Sequence, residues 1–126
     1  MDQPCVSFNL IQAAGGAAAR RTWHYPGQRV KIRAISLDPN ATSAANASDH
    51  VTLAFYVGST QIGSSRTTDS DSGTALTQGT SEAISLSSVA PSNLEVTSTS
   101  QFSVRATQGG SGVALDVQVH VVYEAM

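Results

Sequence analysis

The residues best suited to metal chemistry form the segment Asp69-Ser70-Asp71-Ser72-Gly73, which places two carboxylates two positions apart beside a glycine. This spacing resembles part of a calcium-binding loop. A complete EF-hand loop needs a further ligand before the glycine and an acid at its twelfth position, and the sequence has neither. The segment therefore favours an exposed turn, and cation binding by Asp69 and Asp71 stays open as the alternative.

Three histidines and one cysteine are the other side chains that could bind a metal or react. His24, His50 and His120 are far apart and match no zinc-binding spacing. His120 alternates with valines, so it is predicted on the polar face of a strand. Cys5 has no activating neighbour in the sequence and is predicted to be a small buried apolar residue.

The sequence contains no recognisable motif for a nucleophile or for phosphate binding. Ser64, Ser65 and Ser111 lie near glycines, but the Gly-x-Ser-x-Gly pattern of a nucleophile elbow is absent. The segment Gly109-Gly110-Ser111-Gly112 joins two predicted strands, whereas a phosphate loop leads into a helix. We therefore expect neither catalytic residues nor a cofactor, and predict a structural or binding protein that is not an enzyme.

Charge is scarce in this chain. Charged residues make up 13% of the 126 residues and Lys31 is the only lysine, whereas about 25% is usual in globular domains. A neutral Ser/Thr/Ala surface is expected either because much of it faces other protein or because β-proteins favour these residues. The net charge of −2 gives no basis for nucleic-acid binding, which needs clustered basic residues.

Cysteine content and the chain start indicate the folding compartment. A lone cysteine cannot form an internal disulfide, so the fold is expected to be independent of disulfides. The first residues, Met1 to Val6, contain no basic region followed by an apolar run, and no stretch has about 18 continuous apolar residues. We therefore expect neither a signal peptide nor a membrane span, and synthesis and folding in the cytoplasm.

Apolar residues recur at every second position through much of the chain, which predicts β-strands. No stretch has the pattern of a long amphipathic helix. The predicted strands occupy residues 5–11, 29–37, 50–57, 60–63, 83–89, 94–96, 102–106 and 113–123. A single all-β domain over residues 1–126 follows, an antiparallel β-sandwich of about eight strands with long loops, and a jelly roll is one arrangement that fits.

The longest alternation lies between Gln101 and Glu124, where two strands flank a glycine-rich segment. This pattern predicts a hairpin whose second strand is central in its sheet. In the strand 29–37 the apolar positions change phase after Ala34, which predicts a β-bulge.

Two segments without large apolar periodicity are candidates for contacts with other molecules. Residues 12–22, rich in alanine and glycine, are predicted as an irregular interaction arm, and the loop 64–81 is the alternative. The aromatic cluster Trp23-His24-Tyr25 follows the arm. Its rings are predicted to close the end of the core or to form an interface, and a sugar-stacking platform is the alternative. The interface candidates are Arg20, Arg21, Trp23, Tyr25 and Tyr56.

The Ser/Thr/Ala-rich composition, the single lysine, the Ala/Gly arm and the closing strand Leu115-Asp116-Val117-Gln118-Val119-His120-Val121-Val122-Tyr123 resemble small virion proteins of tailed bacteriophages. The likeness is greatest to head decoration, or cement, proteins. It lies in overall style and transfers no individual site residue. The resemblance implies a β-sandwich on the outer capsid surface that clamps neighbouring subunits.

The resemblance also implies the partners, which are the major capsid protein and copies of this chain arranged as a homotrimer, and a location in the virion. Neither nucleic acid nor membrane is an expected partner. Two alternatives stay open from the sequence: a carbohydrate-binding or adhesin-like module, and a tail or baseplate subunit.

Overall fold

Alternating apolar residues build ten β-strands in the computed structural model, which describes residues 4–126. The predicted domain also includes Met1 to Gln3, which lie outside the described residues. The strands are β1 (Cys5–Gln12), β2 (Ala19–Thr22), β3 (Val30–Pro39), β4 (His50–Val57), β5 (Thr60–Gln61), β6 (Arg66–Thr67), β7 (Glu82–Ile84), β8 (Glu95–Val96), β9 (Phe102–Gly109) and β10 (Leu115–Ala125).

The strands form two antiparallel sheets, which confirms the predicted all-β sandwich. Sheet A has the order β1-β10-β3-β7, with β8 also on β3, and sheet B has the order β2-β9-β4-β5, with β6 also on β4. The short pairs β5/β6 and β7/β8 each occupy one strand position, which leaves eight positions. In chain order, the first of these positions pairs with the eighth, the second with the seventh, the third with the sixth and the fourth with the fifth. This nested pairing is the jelly-roll arrangement.

The predicted C-terminal hairpin is wrong. Strand β9 belongs to sheet B and β10 to sheet A, so the glycine-rich segment between them crosses from one sheet to the other. Gly110 has a φ of +63°, and a side chain there would meet the Ser48 carbonyl oxygen 2.0 Å from its Cβ. The crossing therefore requires glycine, both for its backbone conformation and for its close approach to the loop before β4.

Strand β10 is central in sheet A, between β1 and β3, as predicted. The bulge predicted in β3 is also confirmed, because the register with β10 shifts where Arg33 is inserted between Ile32 and Ala34. Ile32 and Ile35 are both buried as a result. The alternation of Val30, Ile32 and Ala34 predicts that Ala34 also points inward, and this is wrong, because the bulge places Ala34 on the exposed face.

The core lies between the two sheets, where the inward residues of β3, β4, β9 and β10 are almost fully buried. Phe55 and Phe102 are its largest completely buried side chains. Trp23 is partly buried against this core and its ring contacts Tyr123, with centroids 4.7 Å apart. The prediction that the aromatic cluster closes the end of the core is therefore confirmed for Trp23.

Three local predictions need correction. Cys5 is exposed, because it begins β1 on the outer face of sheet A, whereas we predicted a buried residue. The strand predicted at 83–89 is confined to Glu82–Ile84. Residues 12–22 are not wholly irregular: Gln12 ends β1, and Ala19–Thr22 form the edge strand β2 of sheet B. Whether this segment contacts other molecules stays a prediction.

The helical content of residues 4–126 is one 3₁₀ turn at Pro91–Leu94. This part of the chain has no helix of the length and apolarity needed to cross a bilayer.

Candidate functional site

The outer surface of sheet B gathers two arginines and a tyrosine from three neighbouring strands. Arg20 of β2 lies directly opposite Arg105 of β9. Two residues further along β2, Thr22 lies opposite Ser103 of β9. Ser103 in turn lies opposite Tyr56 of β4. We call the surface formed by these five residues the arginine face.

Contacts within the arginine face fix the positions of its cationic groups. The guanidinium of Arg105 lies over the Tyr56 ring, with its Cζ 4.2 Å from the ring centroid. This is a cation–π interaction, in which the face of the ring attracts the positive charge. Arg20 donates a hydrogen bond from Nη2 to the Ser103 hydroxyl at 3.3 Å. Nε of Arg105 is shielded from solvent and has no hydrogen-bond partner among the described residues.

The charges of the two sheets differ in sign. The strands of sheet B contain Arg20, Arg21, Arg66 and Arg105 and no carboxylate, whereas those of sheet A contain Asp38, Glu82, Glu95, Asp116 and Glu124 against Lys31 and Arg33. Like charges that lie directly opposite on neighbouring strands repel each other. The pair Arg20 and Arg105 is therefore suited to receive an anionic group from another molecule, since carboxylates bind arginine in a bidentate manner.

The structure brings two of the five predicted interface residues, Arg20 and Tyr56, onto this surface and places the other three elsewhere. Arg21 is exposed at the edge of sheet B, on the side of β2 opposite to Arg20. Trp23 packs at the end of the core, and the Tyr25 backbone N–H donates to the Gln101 side chain at 3.2 Å. Trp23, packed against the core, and Tyr56, on the outer face of sheet B, therefore do not share a stacking platform.

Arg105 is the charged residue of this surface that sequence reasoning missed, and Thr22 and Ser103 were not predicted either. Its position between the inward residues Val104 and Ala106 indicates an outward side chain, and that signal was available. Its proximity to Arg20 and Tyr56 depends on the strand order β2-β9-β4, which no local pattern predicts.

A second polar group crosses the outer face of sheet A. Ser7 of β1 lies 2.6 Å from Nδ1 of His120, measured from its hydroxyl oxygen. Nε2 of the same ring lies 2.7 Å from the Asp38 carboxylate of β3, which also accepts a hydrogen bond from the Ser81 hydroxyl. The predicted surface position of His120 on the polar face of its strand is confirmed, and its partners come from neighbouring strands.

Serine, histidine and aspartate are the residue types of a hydrolytic triad, but their surroundings differ from those of an acyl-transfer site. Such a site needs donors aimed at the developing oxyanion. The backbone N–H groups of the central strand β10 are used in its ladders with β1 and β3. The N–H groups at the free edge of β1 lie in the plane of the sheet, whereas the Ser7 hydroxyl stands on its face. The residues that the structure describes also enclose no pocket that could hold a substrate. We interpret the group as a polar row that joins the strands of sheet A.

The hydrogen bond from Ser81 and, to a lesser extent, the contact with His120 lower the pKa of Asp38 below its ordinary value of 3.8. A carboxyl whose pKa is lower in the folded state stabilises the fold above pH 3.8, and this contribution is lost as the pH falls through the folded-state value.

Ser81→Ala is therefore expected to raise the pKa of Asp38 towards 3.8, because it removes the largest cause of the shift. NMR titration of the Asp38 carboxyl measures this directly. Ser98→Ala, at another exposed position, is the control and should leave the titration of Asp38 unchanged. An identical titration in wild type and Ser81→Ala would contradict the assignment.

The candidate cation ligands Asp69 and Asp71 lie in a turn after β6. The carboxylate of Asp69 accepts the Asp71 N–H at 3.0 Å, and its carbonyl accepts the Ser72 N–H at 3.0 Å. Asp69 thus stabilises the turn that the sequence favours. Residues 4–126 contain no group of three or more His, Cys, Asp or Glu side chains arranged to hold a metal ion.

The two polar surfaces are the candidate sites for function. Among residues 4–126, the arginines of the arginine face form no salt bridge with a carboxylate, so this surface has charge of one sign. No protein-family model matches the sequence, and no curated protein matches it either.

Proposed function

We propose that this protein is a structural component of a virion, and that it binds and stabilises the capsid surface of a tailed bacteriophage as a head decoration protein. Its partners are then the major capsid protein and copies of itself. The observation that carries the proposal is the arginine face, a rigid cationic surface whose strands provide no carboxylate of their own.

A decoration protein needs a stiff body and a contact surface, and it needs no reaction chemistry. The jelly-roll sandwich provides the stiff body, because both sheets are joined through one continuous core. Jelly rolls are a frequent architecture of viral capsid domains, although they also occur in lectins. The fold therefore supports the proposal only as an analogy.

The arginine face favours binding to a protein partner whose surface has carboxylates. Its arginines lie on neighbouring strands of a sheet, so their spacing is fixed before binding. Arginine and tyrosine are the residues in which binding energy is most often concentrated at protein interfaces. The resemblance of the chain to decoration proteins implies that this partner is a capsid subunit.

The test uses capsids of the parent virus prepared without this protein. Arg20→Gln combined with Arg105→Gln is expected to weaken capsid binding at least about tenfold, which corresponds to about 1.4 kcal/mol. Sedimentation of capsids with bound protein over a range of concentrations measures the affinity. Wild-type binding should also weaken as salt is raised, because exposed charges are screened.

The matched control is Arg29→Gln combined with Arg33→Gln, which changes the net charge equally. These arginines pair with Glu95 and Glu124 and lie outside sheet B. The control should bind like the wild type. Equal losses in both double variants would show that net charge alone matters and would remove the arginine face from the proposal. A wild-type protein that does not bind the capsids would overturn the proposed function.

A further inference from the structure

The free edge of β1 differs from the other edges of the two sheets. Edge strands in native proteins are protected by shortness, charge, proline or bulges. Strands β5, β6, β7 and β8 have two or three residues each, and the four-residue β2 contains Arg20 and Arg21. Strand β1 has eight residues, no charged side chain and an uninterrupted register with β10. None of the usual forms of protection is present on it.

The hydrogen-bonding groups available on β1 follow from its pairing with β10. The N–H of Tyr123 donates to the carbonyl of Pro4 at 3.0 Å, so Pro4 and every second residue after it bond to β10. The alternate residues direct their backbone N–H and C=O groups away from the sheet. These residues are Cys5, Ser7, Asn9 and Ile11, and all four are exposed.

The side chains of β1 are arranged symmetrically about Phe8. In the sequence Cys-Val-Ser-Phe-Asn-Leu-Ile, two apolar residues and one polar residue precede the phenylalanine, and one polar residue and two apolar residues follow it. A symmetric pattern of this kind matches itself when the strand is reversed. It therefore suits antiparallel pairing of two identical strands.

We propose that the free edge of β1 pairs antiparallel with β1 of a second copy of this chain, so that sheet A continues through both molecules across a two-fold axis at Phe8. Ser7 then lies opposite Asn9 of the second copy, and Cys5 opposite Ile11. All the outward backbone groups of these residues become hydrogen-bonded in this register.

The same register also buries apolar surface that one molecule leaves partly open. Val6 and Phe8 point towards the core but are only partly buried. In the pair, Phe8 meets its own copy on the axis and Val6 meets Leu10, and aromatic pairs of this kind stabilise sheets. Ile11, whose surface is 63% exposed in one molecule, gains Cys5 as a neighbour. A shift by one residue would oppose the outer face of one strand to the inner face of the other.

The contact is independent of the proposed function, and it predicts a two-fold dimer where the resemblance to decoration proteins implies a trimer. A closed two-fold interface uses the same surface of both copies. Strand β1 provides such a surface because its pattern is symmetric. The absence of charge on β1 also removes the repulsion that two identical charged edges would suffer.

An engineered disulfide tests the register. In the proposed pair, residue 11 lies opposite Cys5 of the second copy at a Cα separation of about 5.5 Å, within the roughly 4.4–6.8 Å that disulfides span. Ile11→Cys is therefore expected to form a covalent dimer on mild oxidation, visible on a non-reducing gel and reversed by dithiothreitol. Asn9→Cys is the matched control: its closest cysteine in the second copy is about 9 Å away, so it should remain largely monomeric on the gel.

The mass of the reduced protein in solution tests the contact itself. Sedimentation should give a species of twice 13.0 kDa. Asn9→Lys, which places a cation at the centre of the free edge, should raise the dissociation constant at least about tenfold. Gln28→Lys adds the same charge at an exposed position outside the strands and should leave it unchanged. A monomer at every concentration, a trimer, or equal crosslinking of the two cysteine variants would overturn the proposal.

Discussion

Arg66→Met is expected to lower the free energy of unfolding by about 3 kcal/mol, because it removes one partner of a largely buried ion pair. Arg66 of sheet B binds Glu82 of sheet A through two hydrogen bonds, Nε to Oε1 at 2.8 Å and Nη2 to Oε2 at 3.0 Å. Its side chain is 13% exposed. The substitution would leave the carboxylate of Glu82 partly buried without its cation.

Arg66 also organises the long loop that follows it. Nη1 donates to the carbonyl of Thr74 at 2.8 Å, and Nη2 donates to the carbonyl of Ala75 at 3.0 Å. One guanidinium therefore joins both sheets and the loop. Arg66→Lys keeps the charge but loses the forked geometry, so it should recover only part of the lost stability.

Urea denaturation measures both variants. Arg33→Met is the matched control, since Arg33 pairs with Glu124 on the exposed surface of sheet A, where such pairs contribute at most about 1 kcal/mol. If Arg66→Met were as stable as Arg33→Met, the ion pair between Arg66 and Glu82 would not stabilise the fold.

Strand positions were predictable because the alternation of apolar residues is a direct consequence of strand geometry. The four inward residues of β4, Val51, Leu53, Phe55 and Val57, are all buried as the pattern requires. The same pattern states which side of a strand faces the core but not which sheet the strand joins. The inward residues of β9 and β10 were therefore predicted correctly. The pairing of the two strands as one hairpin was wrong, because they belong to different sheets.

The candidate surfaces were less predictable because each one is assembled across strands. Ser7, His120 and Asp38 meet only because β10 lies between β1 and β3. The pairing of the first strand with the last is a property of the jelly roll and leaves no local signal. The outward residues of single strands could be identified from the sequence, but their neighbours could not.

The jelly-roll pairing also explains a group of polar contacts at the crossing between β9 and β10. The end of β1, the end of β9 and the glycine-rich segment meet where the chain passes from sheet B to sheet A. The Ala17 carbonyl and the Val113 N–H in this region lie outside the strands and need other partners. Side-chain amides provide those partners.

Gln12→Met is expected to lower the free energy of unfolding by about 2 kcal/mol, because it removes three hydrogen bonds made by a buried amide and leaves the partly buried Gln108 amide without its acceptor. Gln12 is 4% exposed, and its Nε2 donates to the carbonyls of Ala17 at 2.8 Å and Ala106 at 3.1 Å. Its Oε1 accepts a hydrogen bond of 2.7 Å from Gln108. Methionine has a similar shape but can make none of these bonds.

Gln108 extends this network to the crossing, since its Oε1 accepts the N–H of Val113 at 2.6 Å. Gln12→Met should therefore also loosen the crossing itself, and hydrogen exchange at the Val113 amide should become faster than in the wild type. Gln28→Met, at an exposed position, is the control and should change stability by no more than about 0.5 kcal/mol. A Gln12→Met protein with wild-type stability and unchanged exchange at Val113 would show that the amide network does not hold the two sheets together at this point.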